Sequence, residues 1–393
     1  MKILWLNPLN VTKNLSSISQ KDFMVSKNNE IARSIKLIGH DIAGVFCFIK
    51  EKAEMNGFSN AIYFQLRKPR WLYVLLYHLK MLTFAINHKY DVILFGVHSS
   101  HLIFFLRLFF SLKSHKSTLV LDIRSVPVDL KKDIRSRIEL FRYYSSLKLA
   151  DYFCDGITCI TPMLGDTLKP KLKKLKEKLG YFQTGVNFKI FDPSNSLSLK
   201  KVLNLDHKFI LLYHGVLSPN RGLQDVIRAV ALCKSNIPNI LFMIVGTGAG
   251  ELELMQMTKE LKLEKNILFT GAVSIEQIPG FIKSADVGII PLPAIEWWNV
   301  SSPIKLKEYL AMQLPVIATD IPAHRLVVEK AGGATLIKSN EAEYIAKAIL
   351  DFYNYRKTIF PMKPRKDLFD LISFKSQSLK FIEYVSKISQ LAD

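Results

Sequence analysis

Cysteine is scarce in this sequence, carboxylates are outnumbered, and no apolar run is long enough to cross a bilayer. The four cysteines, Cys47, Cys154, Cys159 and Cys233, form neither a CxxC pair nor a spaced framework. That excludes a disulfide scaffold and a zinc ribbon, and predicts buried, inert thiols in a reducing, cytoplasmic setting. The nine histidines include no HExxH or other ligand spacing, so neither a metal site nor a resident cofactor is expected. The most apolar runs are 71–86, broken by His78 and Lys80, and 102–112, broken by Arg107. Both fall short of the roughly 20 apolar residues that a spanning helix needs. Residues 1–8 end their short apolar run at Asn7-Pro8, and so read as a first buried strand, not a signal peptide.

What is present fits a two-domain α/β protein. A chain of 393 residues that is 49% hydrophobic is too long for one ordinary core and apolar enough to fill two. Its charge is lopsided. Residues 1–200 carry 31 basic and 15 acidic side chains, whereas residues 201–393 carry 23 and 19. Of the +20 net charge, +16 therefore sits in the first half and +4 in the second, which predicts a domain facing an anionic surface.

Strand and helix patterns alternate along both halves. In the first, strands are expected at 3–7, 41–48, 91–96, 118–122, 154–161 and 178–182. Helices are expected at 31–38, 71–87, 101–112, 131–150 and 162–169. The second half predicts strands at 209–214, 240–245, 266–270, 286–291, 316–319 and 334–337. Its helices fall at 223–234, 251–261, 274–284, around 303–311, and at 322–330, 341–353 and 367–392. The turn-rich stretch 186–200 reads as a linker. The expected division is 1–185, linker 186–200, 201–365, and a terminal helical region 366–393 packing back on the first domain. Ligands of such paired, doubly wound sheets bind between them, at strand C-termini.

The stretch 301–320, SSPIKLKEYLAMQLPVIATD, organises the rest. Ser302 is a good N-cap and Pro303 suits the first helical position. The free amides of that first turn form an anion site with the helix dipole, and Lys305 adds charge there. Glu308 lies three residues on, where its carboxylate can accept two hydroxyl hydrogen bonds from a sugar diol. Diphosphate grip and diol grip one turn apart suit a nucleotide sugar, although such a helix start is also common on solvated surfaces. Upstream, Gly215 permits close ligand approach after a strand, and Arg221 at the loop tip can hold phosphate bidentately or simply be solvated. Gly246 and Gly248 form a second glycine turn, suited to a nucleotide or to plain chain reversal. His98, Asp122 and Arg124 sit just past first-domain strand ends, open to a cleft or a structural role.

Residues 169–178 set six lysines against one glutamate. With the basic and aromatic residues at 67–73 and 102–110 they suit an anionic bilayer surface, the bland alternative being a solvated charged helix. No RRM, KH or zinc-finger pattern accompanies the charge, so no nucleic-acid partner is expected.

Taken together, the loop 214–222, the segments 240–248 and 266–271, the strand 285–291 and the stretch 302–320 resemble glycosyltransferase family 4, retaining enzymes of the GT-B fold. More loosely similar are 122–124, 150–151, 157–161 and 185–193. The resemblance implies two Rossmann-like domains: an N-terminal one for the acceptor and a C-terminal one for the nucleotide sugar. It implies that Arg221 and Lys305 bind the donor diphosphate, that Glu308 holds ribose hydroxyls, and that Ser301, Ser302 and Pro303 lie near the donor. It implies no bound metal. Three positions depart from the family pattern. Val300 stands where the first of two glutamates is usual, leaving Glu296 or Asn299 to supply that contact if anything does. Val216 replaces the first of two basic residues. The glycine-rich loop after the first strand is Asn7-Pro8-Leu9-Asn10.

The expected activity is a retaining, hexosyltransferase-type transfer from a nucleotide sugar to a lipid-linked or surface-polysaccharide acceptor in cell-envelope synthesis. The expected location is cytoplasmic and peripheral, on the inner face of the cell membrane. The alternatives are a sugar epimerase of the same fold using His98 and Asp122 as acid and base, and a catalytically weak membrane scaffold.

Overall fold

The computed structural model describes residues 1–6, 18–48, 56–65, 70–112, 116–127, 133–355 and 361–390. The 7–10 turn, the basic stretch at 67–69 and the first residues of the 131–150 helix lie outside them.

Two parallel sheets carry the fold. The first contains β1 (Lys2–Leu6), β2 (Asp41–Phe48), β3 (Asn60–Gln65), β4 (Val92–Phe95), β5 (Thr118–Ile123), β6 (Gly156–Cys159) and β7 (Leu179–Tyr181). The second contains β8 (Phe209–His214), β9 (Ile240–Val245), β10 (Ile267–Gly271), β11 (Val287–Ile290), β12 (Val316–Thr319) and β13 (Ala334–Ile337). Their orders are β3-β2-β1-β4-β5-β6-β7 and β10-β9-β8-β11-β12-β13. This is the doubly wound α/β architecture expected from the alternation. Parallel strands covered on both faces need apolar side chains on both faces, and the run Phe-Ile-Leu-Leu-Tyr-His of β8 is buried along its whole length. In each sheet the winding reverses beside one strand: between β1 and β4, and between β8 and β11.

Each sheet has a core on either face. In the first lobe, Leu4, Leu121 and Ile157 meet Ile103, Leu106 and Leu147. On the opposite face, Ile3, Trp5 and Val120 meet Ile31 and Ile35 of the helix Ile18–Leu37, together with Phe381 and Val385. These last two come from the C-terminal helix Phe374–Gln390, which crosses back from the second lobe. Phe381 stacks on Phe182 at 4.4 Å, and the Tyr384 hydroxyl donates to the Lys178 carbonyl at 2.7 Å.

Four local expectations are corrected. The edge strand β3 was not foreseen. The first helix begins at Ile18 instead of residue 31. The terminal helical region is two helices, Arg365–Ile372 and Phe374–Gln390. They break at Ser373, whose backbone pairs with Val186 in a parallel bridge. Lastly, the helix Ile304–Ala311 is capped by Pro303 with no side-chain cap bond. Ser302 is not its N-cap; that hydroxyl accepts from Lys307 Nζ instead, at 3.2 Å.

Candidate active site

The second sheet delivers the site at its switch point. His214 ends β8, and beyond it the chain turns through Gly215 with φ +124°, a region that side chains other than glycine rarely enter. The absent Cβ leaves room for the Lys305 side chain, which a methyl group there would strike. Lys305 lies in the first turn of the helix Ile304–Ala311, its ammonium 5.5 Å from the centre of the Tyr213 ring. The first intrahelical bond that reaches back to the cap runs from Lys307 N to Pro303 O, so the amides of Ile304, Lys305 and Leu306 have no partner within the helix.

Arg221 approaches from the other side. It lies in the short 3-10 turn Pro219–Arg221, closed by Gly222 at φ +71°. Its guanidinium lies 4.7 Å from the centre of the Trp298 ring, and its Nε donates to Ser218 Oγ at 3.2 Å. Trp298 is anchored in turn, its indole N–H donating to Asn220 O at 3.0 Å. This residue belongs to a short helix, Glu296–Asn299, which adds to the expected elements.

These residues line a cavity of about 760 Å³. Gly215, Gly246, Arg221, Ser301, Ser302, Pro303, Lys305 and Glu308 all reach it. Four of the sequence-predicted residues do not. Gly248 packs on the backbone of Leu217, where a side chain would collide. Asp122 is buried, accepting from Thr158 Oγ1 at 2.8 Å and from Arg124 Nε at 2.7 Å. Arg124 spends another donor on the Phe182 carbonyl and lies over the Phe182 ring. His98 sits in the 3-10 turn Val97–Ser99, outside the cavity wall. The acid and base that an epimerase would need are thus not brought to this cavity by His98 and Asp122.

Other cavity residues were missed as site residues. Asn29 and Arg33 enter from the first lobe's helix Ile18–Leu37, and Ser274 and Glu276 from the loop after β10. His214 also lines it, and its place at the C-terminal end of the switch-point strand was the signal that could have found it.

The departures resolve structurally. Val300 is buried in the first lobe's apolar cluster, and its carbonyl accepts from Thr161 Oγ1 at 2.6 Å. It joins the lobes and does not face the cavity. Val216 does line the cavity, and its carbonyl accepts from the Tyr213 hydroxyl at 3.0 Å.

The electrostatics follow from burial. Burial, then the neighbouring Arg221 charge, pushes the Lys305 ammonium downward, while Glu308 opposes the shift. Burial pushes the Glu308 carboxyl up, and Lys305 counters it. His214 is driven down to about 3 by burial and then by Lys305, so its ring is neutral near pH 7. Its Nε2 lies 3.4 Å from Glu308 Oε2 and has no hydrogen-bond partner. A buried polar atom of this kind calls for one. The cavity therefore combines two cations and free helix amides at its rim with a carboxyl and an imidazole behind them.

Residues 196–366 match the model of the family described as Glycosyl transferases group 1. Among curated proteins, "Putative teichuronic acid biosynthesis glycosyltransferase TuaH" of Bacillus subtilis (strain 168) is 27% identical over 171 residues. That match covers 43% of this chain and 41% of TuaH, so the chain spans less than half of that relative's length. Solved structures share the fold over the entire chain. The sucrose-phosphate synthase of Thermosynechococcus elongatus superposes with TM-score 0.75 at 15% identity, covering 100% of both chains. HepE of Anabaena, solved with UDP, superposes with TM-score 0.67 at 17% identity, covering 100% of this chain and 98% of its own. Both place this chain in the GT-B arrangement of two Rossmann-like lobes.

Proposed function

We propose that the chain is a retaining, hexosyltransferase-type enzyme that moves a sugar from a nucleotide-sugar donor to a lipid-linked or surface-polysaccharide acceptor. The observation that carries this reading is the convergence of Arg221, Lys305, the Ile304–Ala311 helix start and Glu308 in one cavity at the second sheet's switch point. When the bond between the anomeric carbon and the diphosphate breaks, negative charge grows on the leaving oxygen. Arg221, Lys305 and the helix amides are aimed to stabilise it, with no metal required. Glu308, backed by His214, accepts the hydroxyl hydrogens of the ribose. Val216 leaves one fewer cation at the rim, and Val300 supplies no carboxylate to the sugar. The family match and the UDP held by HepE support the class of donor, and the name of TuaH supports an envelope polysaccharide as the product's destination.

A membrane-proximal acceptor is supported by one face of the first lobe. The helices Leu102–Ser111 and Ile134–Phe153 pack together and expose Phe105, Leu108, Ile134, Ile138 and Phe141. The lysine run leans onto the same helix: Lys171 Nζ lies 4.9 Å from the centre of the Tyr144 ring, and Lys174 Nζ 4.8 Å from that of Tyr152. Asp151 anchors the run. Burial raises its carboxyl, but backbone amides of Leu175, Lys173 and Lys174 outweigh that and hold it below the ordinary range. Exposed apolar side chains with lysines seated on the same helix pair suit the inner, anionic leaflet of a cell membrane. No described helix is long and apolar enough to cross it.

The test is a thermal-shift panel of UDP-, GDP-, ADP- and CMP-sugars on wild type and Glu308→Ala. Ligand at a hundred times its dissociation constant stabilises by about 2.7 kcal/mol. A shift with one nucleotide that the mutation removes supports the reading, and no shift with any of the four overturns it.

A further inference from the structure

The helix that carries Lys305 and Glu308 also carries Lys307, which is 1% exposed. Burying an ammonium is costly unless every proton finds an acceptor. Lys307 Nζ finds three: Gln183 Oε1 at 3.1 Å, Thr184 O at 2.9 Å and Ser302 Oγ at 3.2 Å. An ammonium has three protons to donate, so all are used, and all three acceptors are neutral. Burial, then the like charge of Lys380, lowers its pKa to about 7. A simple packing role would be served better by an apolar side chain.

The acceptors stand in two places. Gln183 and Thr184 belong to the segment that leaves β7 for the second lobe. That segment is zipped to the returning chain through Val186 N to Ile372 O at 2.9 Å and Phe374 N to Val186 O at 3.2 Å. Ser302 lies instead in the cavity wall, just ahead of the helix amides. Because its oxygen accepts from Lys307, its own proton is free to be donated elsewhere.

We propose that Lys307 is a positioning residue for the nucleotide: it fixes Ser302 as a hydroxyl donor to the bound diphosphate and ties that donor to the crossing between the lobes. This inference rests on the nucleotide-sugar reading above. Ser302 touches the phosphate, and Lys307 acts only through it and through the crossing. The crossing is the natural pivot for lobe closure, so rotation there alters the seat of the diphosphate.

The experiment is a double-mutant cycle on nucleotide affinity, read by calorimetric titration of UDP, GDP, ADP and CMP into the full chain. Lys307→Met keeps the length of the side chain and removes its donors. The expected result is about a tenfold weaker dissociation constant for the nucleotide that wild type binds, the same for Ser302→Ala, and no further loss in the double variant. A merely structural lysine would lower the melting temperature without this coupling. Losses that multiply to about a hundredfold, or wild-type affinity in Lys307→Met, overturn the proposal. If Lys307→Met does not fold, Gln183→Met removes one acceptor outside the cavity. It must then weaken binding by a smaller factor, and unchanged affinity overturns the proposal. A wild-type chain that binds none of the four nucleotides overturns the donor reading itself, and this inference with it.

Discussion

Arg221 and Lys305 reach the cavity from separate elements, so each can be removed without moving the other. Arg221→Ala and Lys305→Ala should each lower kcat by about a hundredfold, the scale expected for one lost charge-stabilising donor. A steady-state assay that finds wild-type turnover in either variant removes that residue from the leaving-group role. Two buried histidines give a pH signature. The His324 pKa is driven down to about 4, mainly by burial and against its bond to the Thr319 carbonyl, and that of His214 to about 3. An unfolded histidine protonates near 6.5, so below that pH the unfolded chain binds protons that the folded chain refuses. Stability therefore falls as pH drops from about 6.5 towards 4, by about 3 kcal/mol for the His324 shift alone. Glu308 has the opposite sign. Its raised carboxyl favours the folded state at acid pH, and that contribution is lost as pH rises past the ordinary carboxylate range. Urea denaturation from pH 7 to pH 4 should show a shallower loss in His324→Gln than in wild type. Arg221, Lys305 and Glu308 were legible in the sequence because loop, helix start and helical spacing are local. Asp122 and Arg124 were not. Their strand-end place resembled a cleft position, and the partners that hold them are distant: Thr158 lies 36 residues beyond Asp122, and the Phe182 carbonyl 58 beyond Arg124.

At the scale of elements, the turn after β8 and the helix Ile304–Ala311 work as one fitted pair. Gly215→Ala forces a side chain into φ +124° and into the space of the Lys305 side chain. Strain of that kind costs about 1–3 kcal/mol. The variant should melt lower than wild type and also lose at least tenfold in kcat. If kcat is unchanged, the placement of Lys305 does not depend on this turn. Most strands and helices were readable because parallel strands are continuous apolar runs and their covering helices are amphipathic. The exceptions had non-local causes. The edge strand β3 has an apolar run of its own, Ala61–Phe64, but it pairs with β2 alone and is only partly buried at Ala61, Ile62 and Tyr63. The break at Ser373 is imposed by a bridge to Val186. Nothing local marks Lys307 as buried, because the segment that buries it is more than a hundred positions away.

At the scale of the molecule, the apolar and lysine-rich face of the first lobe lies outside the cavity. Phe105→Glu with Leu108→Glu should reduce co-sedimentation with vesicles containing anionic lipid by about tenfold or more, while nucleotide binding stays as in wild type. Equal sedimentation of variant and wild type would sink the membrane assignment. The returning helix Phe374–Gln390 has another consequence, which concerns synthesis. Ile3 and Trp5 share a core with Phe381 and Val385, which a ribosome adds more than 370 residues later. At about 5–20 residues per second, roughly 20 to 70 seconds separate them. Throughout that time one apolar face of the newborn first lobe is covered only in part, by the helix Ile18–Leu37. The second lobe is translated later but finished sooner, so the order of maturation is the reverse of the order of translation. A cell making this chain must shelter that face until the helix Phe374–Gln390 arrives.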